Sequence, residues 1–249
     1  MAGHSKWANI KRRKGAQDAK RGKLFTKLLR EVTVATKEGG GDPGGNPRLR
    51  AAIQECKGNN VPNDKIDKAI AKGSGDLEGA NYEEVTYEGY APSGVAVLVE
   101  TMTDNRNRTV GEIRHVFGKY GGNLGENGCV SYLFEKRGYF QVDPSSMEED
   151  DFMELALELE VEDVTLEDSS YELFTEPGSY ADIRQALQDK EVKVESAQLA
   201  MVPSTSVEAD ADTLPKVLRL LEALEDLDDV QNVWSNVTAD DALMEAHAG

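Results

Sequence analysis

From Asp18 to about Lys37 the apolar residues Leu24, Phe25, Leu28, Leu29, Val32 and Ala35 recur three and four positions apart, the spacing of an amphipathic helix. At 100° per residue they fall within an arc of about 140°, whereas Lys20, Lys23, Lys27 and Arg30 fall within about 80° on the other side. One face packs and the other is a cationic ridge. The loop GGGDPGGNP at residues 39–47 ends this helix. Asn46 as N-cap with Pro47 at the first helical position starts a second, RLRAAIQECKG. A third follows Pro62, with Ile66, Ala69 and Ile70 inward and Gly73 as its C-cap.

After GSGDLEGA the period changes from 3.6 to 2. EEVTYEGYAP and GVAVLVETMTD read as two strands joined by a Pro/Ser/Gly turn. A helix over about 109–120 follows, with Thr109 and Glu112 at capping-box spacing and Gly121 at its end. Residues 136–203 then alternate strand, helix, strand, strand, helix, strand, the order of a complete ferredoxin-like unit. Residues 77–135 hold strands with a single helix, too few to cover a sheet, and the missing helix and strand appear as TLPKVLRLLEALEDL and DVQNVWSNV. The expected class is therefore α+β: a helical N-terminal domain (1–76), a discontinuous α+β domain (77–135 plus 204–240), and a third domain (136–203) inserted in the second, the two α+β domains both ferredoxin-like.

Charge divides along the same boundary. The chain has 249 residues and a formal net charge of −18, yet residues 1–76 hold 17 basic and 8 acidic residues, a net of +9, and residues 77–249 a net of −27. Ten cations crowd the first thirty residues against Asp18 alone: Lys6, Lys11, Arg12, Arg13, Lys14, Lys20, Arg21, Lys23, Lys27 and Arg30. Such cations repel one another, and the simplest reason to hold them together is a polyanion, since each Lys or Arg that meets a phosphate releases counterions. The acidic remainder keeps the molecule in solution or meets something basic. Trp7 within the basic arm either stacks on an unpaired base or anchors the arm to the helical core.

Enzymatic readings are thin. His4, His115 and His247 make no metal spacing, Cys56 and Cys129 stand far apart, and no P-loop or nucleophile elbow is present. We therefore expect no catalytic residues, metal or cofactor. GGNLGENG (121–128) could cradle a phosphate, but it leaves a helix C-terminus, where the macrodipole is negative. The run Glu148, Glu149, Asp150, Asp151 suits a helix N-terminus better than a cation site. In DNRNRT (104–109), Arg106 and Arg108 serve either turn and capping duty or a secondary phosphate contact. No apolar run approaches the ~20 residues that span a bilayer, and neither a secretory h-region nor a disulfide framework is present, so a cytoplasmic setting without membrane partners is expected.

The stretches AGHSKWANIKRRKGAQDAKRGKLFTKLLREV, GGGDPGGNPRLRAAI, YEGYAPSGVAVLVETMTDNRNRTVGEIRHVFGKYGGNLG and VPST closely resemble the YebC family of bacterial probable transcriptional regulators, a family also similar to the mitochondrial translational activator of cytochrome c oxidase. The resemblance implies a helical domain followed by two α+β domains, and a DNA-binding role in transcription or a role in translation at the ribosome. The residues themselves offer phosphate-type contacts but no recognition helix with evident base readers. Three functions stay open: a DNA-binding regulator; a ribosome-associated factor whose arm meets rRNA and whose acidic domains meet basic ribosomal proteins; and a small-molecule sensor.

Overall fold

The structure, a computed structural model, describes residues 18–79, 81–167, 170–240, 243–244 and 246, with the side chains of 18–21 and 167 outside the description. The chain divides into two compact units, residues 1–131 with 205–249, and residues 132–204.

The first unit opens with three helices, α1 (Asp18–Gly39), α2 (Pro47–Gly58) and α3 (Asn63–Gly73). They enclose a small core in which Val32, Ala35, Leu49 and Cys56 are fully buried, with Phe25, Leu28 and Leu29 packed against it. Leu24, expected on the same face, is 40% exposed. The Asn46 side chain accepts from the Leu49 amide at 3.0 Å and donates to the carbonyls of Ala35 (2.7 Å) and Gly40 (2.9 Å), so one residue starts α2 and secures the end of α1. Gly73 does not act as a left-handed C-cap. It is the last residue of α3, and a Cβ there would lie 2.5 Å from the Thr33 carbonyl, so a glycine lets α3 approach α1.

The same unit contains a sheet of β1 (Glu83–Tyr90), β2 (Ala96–Thr103), β3 (Asn123–Leu124) and β9 (Val230–Ser235), in the order β3-β1-β2-β9 with every neighbouring pair antiparallel. Helices α4 (Arg106–Lys119) and α7 (Leu214–Glu225) contribute Ile113, Phe117, Val217, Leu220, Leu221 and Leu224 to one core with Val97, Val99 and Val233. The chain's C-terminal helix and strand thus complete this layer. Helix α4 begins four residues earlier than its Thr/Glu spacing suggests. Asn105 is the N-cap, accepting from the Arg108 amide at 3.1 Å, while Thr109 is buried and committed to Asp229. A minor parallel pair, β8 (Val207–Glu208) with β10 (Val237–Thr238), flanks the sheet.

The second unit runs β4 (Phe134–Val142), α5 (Glu149–Glu158), β5 (Asp163–Glu167), β6 (Ser170–Thr175), α6 (Tyr180–Asp189) and β7 (Val194–Pro203), with sheet order β5-β6-β4-β7, antiparallel throughout. This is the ferredoxin-like arrangement. The first sheet has the same layering of four strands and two helices but a different path. β1 and β2 form a hairpin through Pro92–Gly94, so they must be neighbours at its centre. In the second unit Phe140, Val142, Tyr171 and Leu173 face Phe152, Leu155, Ile183 and Leu187, and the Phe152 and Tyr171 rings stack with centroids 4.4 Å apart.

Because residues 132–204 carry their own core, removing them and joining Ser131 to Thr205 through a short Gly/Ser linker is expected to leave the first unit folded. A single cooperative urea transition of the shortened chain checks this. Loss of cooperativity would show that the inserted unit is needed to fold the first.

Candidate nucleic-acid interface

The cationic ridge of α1 does not face open solvent along its whole length. The last-turn carbonyls of any helix lack intrahelical partners and sit at the negative end of its dipole. In α7 those carbonyls are met by the ridge: Lys23 Nζ donates to the Asp226 carbonyl (2.8 Å) and Lys27 Nζ to that of Glu225 (3.0 Å). Lys23 also lies 3.5 Å from the Asp226 carboxylate. Arg30 goes deeper. Its guanidinium donates to the carbonyls of Met102 (2.9 Å) and Asp228 (2.7 Å), pairs with Asp229 at 3.3 Å, and lies 4.8 Å from the centre of the Tyr82 ring. With only 9% of its surface exposed, Arg30 cannot serve as the phosphate contact its place on the ridge suggests. Half-buried Lys27 is diverted to capping, and Lys23, though exposed, is engaged at the same helix end.

Asp229 organises this junction. The register of β2 against β9 shifts between Glu100 and Thr101, and the Met102 amide then donates to the Asp229 carbonyl at 2.9 Å. One oxygen of the buried Asp229 carboxylate accepts from Arg108 (2.6 Å), Thr109 (2.7 Å) and Thr103 (3.0 Å). Burial by itself would raise the Asp229 pKa, but the hydrogen bonds from Arg108, Thr109 and Thr103 hold it below the ordinary aspartate range. Arg108 also pairs with Asp104 at 2.8 Å, and Arg106 with Glu83 at 2.9 Å. Thus the structure places Arg108 in the junction rather than on a free phosphate-binding face, and Arg106, though exposed, is paired. Arg48 of α2 is likewise turned inward, to Glu31 and Glu38 of α1 and to Glu84 of β1.

The glycine-rich loop after α4 does cradle an anion, but the anion belongs to the chain. The amides of Gly128, Val130 and Ser131 each donate to the Glu88 carboxylate at 2.7 Å. Burial would push the Glu88 carboxyl up, yet these three bonds bring it below its usual range. The cradle is filled, which removes the loop from consideration as a phosphate site. Glu149, Asp150 and Asp151 occupy the first turn of α5, where acids complement the dipole. Among the described residues no group of three or more His, Cys, Asp or Glu side chains is placed to hold a metal ion, and no helix is long and apolar enough to cross a membrane.

Lys6, Trp7, Lys11, Arg12, Arg13 and Lys14 lie outside the described residues, as do the side chains of Lys20 and Arg21, whose backbone forms the start of α1. A second basic stripe, absent from the sequence-based expectation, lies on α3. Lys65, Lys68 and Lys72 are exposed at i, i+3 and i+7, and Lys65 Nζ is 6.0 Å from the centre of the Phe25 ring. That contact sets the Lys65 end of the stripe beside the N-terminal half of α1, and the Lys72 end runs toward Thr33, beside Gly73. Its spacing was legible, but Asp64 and Asp67 in the same helix masked it.

Two family models match the chain, one described as the TACO1/YebC protein N-terminal domain over residues 5–76, the other as the TACO1/YebC second and third domain over residues 82–237. A protein of Desulfosudis oleivorans named probable transcriptional regulatory protein is 53% identical over 246 residues, covering 99% of this chain and 100% of its own. One of the same name from Halothermothrix orenii is 54% identical over 248 residues, 98% of each chain. The crystal structure of a conserved hypothetical protein from Aquifex aeolicus superposes with a TM-score of 0.82 at 49% identity, over 90% of this chain and 93% of that one.

Proposed function

Since the chain belongs to the TACO1/YebC family, whose relatives are named as transcriptional regulators, we propose that it is a nucleic-acid-binding regulator of gene expression that acts without catalysis in the cytoplasm. Its contacts are Lys6, Lys11, Arg12, Arg13 and Lys14 of the arm, Lys20 and Arg21 at the start of α1, and Lys65, Lys68 and Lys72 of α3. The observation that carries this reading is the division of labour among the cations. Lys23, Lys27, Arg30, Arg48 and Arg108 are spent on carbonyls and carboxylates elsewhere in the fold, while the α3 lysines stand exposed next to the helix that continues the arm, Lys68 with only a 3.9 Å contact to Asp64 one turn away. Contacts of this type fix a protein on a backbone without reading bases, so sequence preference is expected to be weak.

The net of −27 on residues 77–249 favours a second form of the same reading. Close wrapping along a duplex would bring those carboxylates against phosphates, whereas a ribosome offers rRNA to the arm and basic proteins to the acidic domains. Sedimentation of the full chain with purified ribosomes, beside gel-shift titration on promoter fragments of equal ionic strength, tests both forms. Salt-sensitive co-sedimentation with weak DNA binding is expected for the ribosomal form, and tight promoter binding with no co-sedimentation for the transcriptional one. Absence of both interactions would overturn the proposal.

A further inference from the structure

The outer flank of α5 is apolar. Phe152, Leu155 and Ala156 turn into the core of the second unit, whereas Met153 and Leu157, one turn apart, are exposed, Leu157 to 77%. Lys190, just beyond α6, approaches Glu158 at 3.9 Å, so the flank of α5 that carries Glu158 faces α6. At 100° per residue Met153 and Leu157 stand about 100–140° around the helix from Phe152, on the flank away from Glu158. The helix-bearing face of the sheet ends at β5. There Leu166, 57% exposed, pairs across the strands with Tyr171, whose ring stacks on Phe152. Met153 and Leu157, beside Phe152 on α5, and Leu166, opposite Tyr171, therefore border one corner, at a strand that among the described residues has a hydrogen-bonded neighbour on one side only.

A single exposed leucine needs no explanation. Three large apolar side chains at an open sheet edge do, because such edges are ordinarily protected by charge or cover. The surroundings indicate what would cover this one. Exposed Glu149, Asp150 and Glu154 adjoin it on α5, and residues 132–204 hold 5 basic and 19 acidic residues, a net of −14. A nucleic acid would be repelled, and so would the same corner of a second copy.

We propose that this corner docks a cationic amphipathic segment of a partner protein, with its apolar side chains on Met153, Leu157 and Leu166 and its Lys or Arg side chains on Glu149, Asp150 and Glu154. The site shares no residue with the nucleic-acid contacts proposed for the helical domain and stands or falls without them.

A photo-crosslinking residue, p-benzoylphenylalanine, placed at Leu157 of the full chain in living cells tests this, with the same residue at exposed Gln185 of α6 as the control. The expected adduct maps to a segment of net positive charge carrying apolar residues. Its yield should fall about tenfold when Glu149→Lys and Glu154→Lys are added, because charge complementarity drives encounter, while the melting temperature falls only by the few degrees expected from losing one acid in the first turn of α5. Adducts on nucleic acid, on neutral or acidic segments, or on this chain's own basic arm would overturn the proposal. So would a yield no higher than at Gln185, or one indifferent to the charge reversals.

Discussion

Replacing Lys6, Lys11, Arg12, Arg13 and Lys14 together with Gln is expected to abolish most nucleic-acid or ribosome association while leaving the melting temperature unchanged. Each cation that meets a phosphate contributes about −0.7 to −0.9 to the slope of log K against log salt, so five lost contacts should make that slope shallower by about 3.5 to 4.5. The affinity loss should be largest at low ionic strength and shrink as salt rises, since counterion release is what the arm supplies. The counter-variant is Lys23→Gln with Lys27→Gln. These lysines cap α7, so their loss should cost stability, about 0.5–1 kcal/mol each, and leave the salt slope nearly unchanged. Fluorescence-anisotropy titrations at several salt concentrations separate the two sets. Equal slopes for the arm variant and the parent would show that the arm is only solvated.

Asp229→Ala is expected to cost about 3–5 kcal/mol, because it leaves the buried Arg30 guanidinium without its counter-ion and removes the acceptor shared by Thr103, Thr109 and Arg108. For a chain of this length that corresponds to a fall of roughly 10 °C in melting temperature. The neighbouring Asp228 carboxylate is not in the network, and Asp228→Ala should be nearly silent. The pH dependence has a definite sign. The folded-state pKa of Asp229 is depressed, so its contribution is complete above the unfolded aspartate value of about 3.9. It is lost as pH falls from there through the lower folded value. The stability gap between parent and Asp229→Asn should therefore narrow below about pH 4. Urea melts across pH 3 to 7 measure it. A gap that is small at pH 7, or flat through the acid range, would show that the junction rests on packing instead.

The amphipathic period of α1, the Asn46–Pro47 helix start and the βαββαβ order of the second unit were all readable locally, because turn chemistry and side-chain period are properties of neighbouring residues. The segregation of charge was equally plain. What the sequence could not reveal is which of its charges are spent internally. On a helical wheel Lys23, Lys27 and Arg30 make one solvent-facing ridge with Lys20, yet their acceptors lie about two hundred residues away, at the end of α7 and the start of β9. Nothing local distinguishes Asp229 within EDLDD, or marks Glu88 as the anion that fills the loop at 126–131. A buried charge is selected by the fold that desolvates it, and desolvation is a property of residues brought together from distant parts of the chain. The tertiary structure alone decided that the ridge is a docking surface, that the glycine-rich loop is already occupied, and that an apolar corner of the most acidic unit is left uncovered.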